Sequence, residues 1–149
     1  MITDFSMPAD PMARRCHLAQ KKRIMALLEQ KLSPPRDRAV FWSGALWPAT
    51  EYSIRCGKAT LEIGLKRAQI DIPLDSPYTY ELWCYASKLW ADRSKGKTEA
   101  VLGHIRPASI YNTVELPALA TNRKVTRHVE YFSKDILCRI KPKNQRRKA

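Results

Sequence analysis

The spacing of apolar residues changes along this chain from a helical period to short extended runs, and that change limits the fold more than any other feature. Leu18, Ile24, Met25, Leu28 and Leu32 recur at helical spacing through a segment rich in lysine and arginine, which predicts an amphipathic helix packed on the core. Pro34-Pro35 ends it, because proline lacks an amide proton and restricts the residue before it. After a short apolar entry at Ala39 to Trp42, Pro48 suits the first turn of a helix running to about Cys56, and Gly57 stops it. Thr60 caps a further helix with Leu61, Leu65 and Ala68 on one face and Glu62 near the positive end of the dipole. Beyond the loop Asp71 to Pro77, a helix from about Thr79 to Asp92 turns Leu82, Ala86, Leu89 and Trp90 inward. Trp83 and Ser87, four apart, project together.

The second half reads differently. Ala100-Val101-Leu102-Gly103 is expected to be a short buried strand, Arg106-Pro107 begins a turn into Ser109, and Val114-Glu115-Leu116-Pro117 follows. Val125 to Phe132 and Ile136 to Ile140 are expected to form two strands joined at Ser133-Lys134-Asp135. Helices in front and short strands behind predict an α/β or α+β fold without internal repeats. The length of 149 residues suits one domain, taken as 13–140, with an unstructured segment 1–12 and a basic tail 141–149.

Charge and cysteine usage narrow the classes. Lys+Arg number 27 against 14 Asp+Glu, a net +13. From Arg139 to Ala149 there are six basic residues and no acidic one. Such a tail is ordinarily a solvated end; the competing readings are contact with nucleic acid, an anionic membrane or an acidic protein. Cys16, Cys56, Cys84 and Cys138 stand far apart with no Cys-x-x-Cys pair, so no metal site is expected. Asp4, Pro8, Asp10 and Pro11 interrupt any signal-peptide pattern, and the apolar run Ile24 to Leu28 is too short to span a bilayer. These features predict a soluble, cytoplasmic protein with its cysteines reduced.

Four stretches carry the chemistry: Phe41-Trp42-Ser43-Gly44, Thr60-Leu61-Glu62, Leu82-Trp83 with Ser87, and Ser109-Ile110-Tyr111-Asn112-Thr113-Val114-Glu115. They supply two carboxylates and two indoles, groups suited to a substrate with flat rings and a sugar that turns cationic when its bond to one ring breaks. A nicotinamide dinucleotide is such a substrate. Glu115 ranks first because it sits in the apolar run Val114-Glu115-Leu116, where a carboxylate is costly unless paired or functional. Each residue also has a plainer reading. Trp42 and Trp83 taken singly suit packing, Glu62 suits a helix-dipole charge, and Glu115 suits a solvent-facing alternation. Trp47 and Trp90 are assigned to packing. Ser87 has no evident His/Asp partner for a nucleophilic triad, and His17, His104 and His128 read as surface or satisfied histidines.

In order and approximate spacing, these stretches resemble the signature segments of the ADP-ribosyl cyclase/NAD glycohydrolase family. The span from Ala100 to Leu119 is also similar to bacterial toxin domains of that fold, whose delivered forms deplete NAD in competitors. The resemblance covers Val40 to Leu119 and implies an ADP-ribosyl cyclase-like fold. It also implies NAD(P) glycohydrolase activity, cyclisation being a second outcome, with NAD or NADP as substrate and no cofactor. Glu115 matches the catalytic glutamate that stabilises the ribosyl cation, and Glu62 the glutamate that contacts nicotinamide and influences cyclisation against hydrolysis. Trp42 and Trp83 match the indoles lining the site, Ser43 and Ser87 the polar residues beside them, and Ser109 and Tyr111 fall in the same substrate-binding stretch. The basic residue that follows the Trp-Ser pair in the mammalian enzymes is Gly44 here, which leaves Arg106 as the candidate for the substrate phosphates. Ile63-Gly64 replaces the acidic-Thr continuation after the family's glutamate, and the glycine weakens that helix by about 1 kcal/mol relative to alanine. A toxin of this kind implies delivery into a target cell's cytoplasm and an acidic immunity protein as partner. The reading from another class is a basic RNA- or DNA-binding protein or RNase toxin, against which the aromatics do not interleave with the basic clusters.

Overall fold

The computed structural model describes residues 7–104 and 106–140. The basic tail and residues 1–6 of the segment expected to lack structure lie outside the described residues. Helix α1, Pro11–Lys31, starts where Asp10 accepts a hydrogen bond from the Met12 amide and proline occupies the first turn. Strand β1, Ala39–Ser43, leads into α2, Leu46–Cys56, which ends on Gly57 in the left-handed conformation at φ 66°. After β2, Ala59–Thr60, the Thr60 hydroxyl caps α3, Leu61–Arg67, by accepting from the Ile63 amide at 3.2 Å. Helix α4, Thr79–Asp92, and strand β3, Gly96–Leu102, complete the first part.

The rest fills in one stretch that the sequence left unassigned and departs from the expectation in another. Val114-Glu115 belongs to a π-helix, Tyr111–Glu115, continued by α5, Leu116–Thr121, in which Pro117 occupies the first turn. Strand β4, Val125–Phe132, forms as expected, but Ile136 to Ile140 is not a strand: Ser133–Ile140 is the helix α6. Ile136 on α6 is fully buried beside Ala49 and Tyr52 of α2. That packing decides the conformation, since a run of five residues fits either period.

The four strands form one parallel sheet in the order β2-β1-β3-β4. Alternation splits β1 between two cores. Ala39 and Phe41 join a cluster with α1, α3, α4 and α5, while Val40 joins the other with α2 and α6. Both faces are covered, as a parallel sheet requires, and Ala100-Val101-Leu102 is apolar on both sides. Connections leave β1 toward β2 and β3 toward β4 in opposite directions, so they cover opposite faces. A crevice therefore opens beyond the carboxyl ends of β1 and β3.

Two glycines let the chain cross there. Gly44 has φ 61°, and a Cβ on it would lie 2.8 Å from the His104 backbone; one on Gly103 would lie 2.2 Å from the Gly44 carbonyl oxygen.

Candidate active site

The crevice holds a cavity of about 790 Å³. All nine residues singled out from the sequence line it: Trp42, Ser43, Glu62, Trp83, Ser87, Arg106, Ser109, Tyr111 and Glu115. Each reaches it by a local device. Trp42 and Ser43 stand at the end of β1, where the chain turns at Gly44. Glu62 is in the first turn of α3, set by the Thr60 cap. Trp83 and Ser87 share a face of α4. The Ser109 hydroxyl accepts from the Asn112 amide at 3.2 Å and starts the turn that leads into the π-helix and Glu115.

Electrostatics divide the two carboxylates. Glu62 is half-buried and accepts a hydrogen bond from Trp42 Nε1 at 2.9 Å, which ties strand β1 to helix α3 and orients both side chains. Glu115 is buried, at 6% exposure, and no described residue donates a hydrogen bond to it. Burial first, and the neighbouring Glu62 charge second, push its carboxyl up to about 8. The site therefore holds one oriented carboxylate and one pushed toward neutrality, in a cavity that two indoles also line. A cation arriving between them would relieve both the repulsion and the desolvation of Glu115.

Some expectations change. Trp47 does not pack in the core: it is 61% exposed, because the buried face of α2 is Ala49, Tyr52 and Ser53, and Trp47 lies opposite it. Trp90 is buried as expected, and its ring lies over Gly64, where a Cβ would come within 2.6 Å. The Gly64 departure is thus a packing requirement of α3 against α4. Gly44, likewise, has no space for a basic side chain. Arg106 lies exposed on the cavity wall. His128 is satisfied, between Thr98 and Tyr111.

Sequence reasoning missed several groups. Phe41, Leu46 and Tyr80 also line the cavity, the last two exposed. Tyr80 could have been found from its spacing to Trp83 and Ser87 on the same helix face. Glu99, buried in β3 and held by Lys58 and the Tyr52 hydroxyl, belongs to the opposite side of the sheet and braces α2 against it. Among the described residues no cluster of histidine, cysteine or acidic side chains is arranged to hold a metal ion, and no helix is long and apolar enough to cross a membrane.

No protein-family model matches the sequence, and no curated protein matches it. Solved structures do. The chain is similar to the Aplysia cyclase complexed with the substrate NGD and the product cGDPR, at 22% identity and a TM-score of 0.52, over 66% of this chain and 49% of that one. It is similar to an ADP-ribosyl cyclase carrying a glutamate-to-alanine substitution, at 20% identity and a TM-score of 0.54, over 66% of this chain and 50% of that one. It is also similar to CD38, at 17% identity and a TM-score of 0.57, over 91% of this chain and 86% of that one. The chain spans about half the length of the cyclases it matches. Likeness at these identities is one of fold, and the fold is ADP-ribosyl cyclase-like.

Proposed function

We propose that this protein is an NAD(P) glycohydrolase, with cyclisation as a competing fate of the same intermediate. The observation that carries the reading is the meeting, in one cavity, of a buried Glu115, an oriented Glu62 and the indoles of Trp42 and Trp83. Trp83 and Glu62 hold the nicotinamide ring, and Trp42 covers its other side. Departure of neutral nicotinamide takes the bonding pair and leaves an oxocarbenium ion on the ribose. Ionised Glu115 stabilises that ion within a partly dry cavity. Water then adds to the sugar carbon, giving ADP-ribose and one released proton. Arg106 approaches the substrate phosphates, and Ser43, Ser87, Ser109 and Tyr111 complete the wall.

The test is nicotinamide release from NAD by the purified protein, with product identity read by chromatography. Glu115→Gln, which keeps shape and removes charge, is expected to lower release by about 100-fold or more. Equal rates from folded wild type and variant would defeat the assignment. The same reading extends to an NAD-depleting toxin with an acidic protective partner, since the net charge of +13 favours an acidic surface by steering. A wild type that releases no nicotinamide but binds RNA with steep salt dependence would favour the nucleic-acid reading instead.

A further inference from the structure

Tyr111 lines the cavity, yet its hydroxyl is held by two side chains of β4 that do not. It donates to Glu130 Oε2 at 2.6 Å and lies 2.7 Å from His128 Nε2. A phenol has one proton to give. With that proton donated to Glu130 in a hydrogen bond, the oxygen accepts from His128, which makes His128 the Nε2–H tautomer. The bare Nδ1 then accepts from the Thr98 hydroxyl at 2.7 Å. Burial lowers the affinity of His128 for a second proton, against the opposing pull of Glu130, so the ring stays neutral as this chain of bonds requires. Burial and Glu130 likewise keep Tyr111 protonated.

The other end of Tyr111 faces the catalytic candidate. Its carbonyl accepts the Leu116 amide across five residues, closing the wide turn that carries Glu115. Turns of this kind are rare, occur mostly as single turns, and are frequent at functional sites. Tyr111 thus joins the sheet, through Thr98 on β3 and His128 and Glu130 on β4, to the turn bearing the carboxylate. The edge contact of Phe41 with the His128 ring, at 6.1 Å between centroids, packs the same network against the cavity wall.

We infer that His128 and Glu130 are positioning residues for Glu115, acting through the Tyr111 hydroxyl to hold the π-helix in place. The inference rests on the glycohydrolase reading for its kinetic consequence and on hydrogen bonding alone for its structural one. A carboxylate displaced by about 1 Å loses much of its effect on a developing cation.

The experiment pairs steady-state nicotinamide release with amide hydrogen exchange across residues 111–116. Tyr111→Phe, which keeps the ring in the core, and Glu130→Leu are each expected to lower kcat roughly tenfold or more with KM nearly unchanged. The double variant is expected to fall no lower than the worse single one, because both cut one connection. Glu130→Gln retains an accepting oxygen and is expected to recover most of the rate. Exchange of the π-helix amides is expected to quicken in Tyr111→Phe and Glu130→Leu, and not in Glu130→Gln. A loss expressed in KM, a double variant that multiplies the single losses, or unchanged exchange in both disruptive variants would overturn the inference. Absence of nicotinamide release from the wild type would defeat the glycohydrolase reading, and the exchange rates alone would then decide: quickened exchange upholds the anchoring, and unchanged exchange removes it.

Discussion

At the scale of single residues, Glu115 carries opposed demands. Its carboxyl is pushed up to about 8 by burial and by Glu62, yet the proposed chemistry uses its anion. For the free protein, kcat/KM is therefore expected to rise with pH through about 8. Glu62→Gln removes the repulsion and leaves the burial, so the midpoint of that rise is expected to fall while staying above the ordinary carboxylate range. A pH profile of nicotinamide release for the two proteins checks this. Stability follows with the opposite sign. The folded value exceeds the unfolded one, so Glu115 contributes fully below the unfolded value, and the contribution is lost as pH rises through about 8. Glu115→Gln is expected to match the wild type in acid and to exceed it above pH 8, by on the order of a few kcal/mol. Denaturant unfolding at the two extremes reads the difference.

At the scale of elements, the caps and stops were legible and the unusual turn was not. Thr60, Pro48 and Gly57 mark real helix ends because each acts through its own backbone or a neighbour within a few residues. The π-helix was hidden because nothing in Tyr111–Glu115 demands a five-residue hydrogen bond; its anchors lie on β3 and β4. Helix α6 and Trp47 show the same limit. Ile136→Ala is expected to cost about 2–5 kcal/mol, since the side chain is fully buried, whereas Trp47→Ser is expected to change stability by less than about 0.5 kcal/mol. Urea unfolding of both variants checks the pair. Between β1 and α2, Gly44→Arg would place a basic side chain at the cavity wall. It is expected to lose stability rather than tighten substrate binding, because φ is 61° and the His104 backbone occupies the space. Denaturant titration and KM together decide that case.

For the whole molecule, the net charge is +13 and the substrate proposed for the cavity bears a diphosphate. Association is then steered, and kcat/KM is expected to fall with ionic strength while kcat holds. A salt series at fixed pH measures it, and a flat kcat/KM would remove steering from the account. The sequence alone specifies the helix ends set by capping residues, a mixed helix-and-strand fold of the α/β or α+β class, and the order of the four stretches that supply Trp42, Glu62, Trp83 and Glu115. These are legible because capping, proline restriction and side-chain period act over a few residues. Only the tertiary structure decided that the four stretches meet at the carboxyl ends of β1 and β3. It also decided that Glu115 is buried beside Glu62, and that Gly44 and Gly64 are required by close packing. Burial, charge proximity and steric room depend on distances between residues far apart along the chain, and those distances exist only once the parallel sheet has closed.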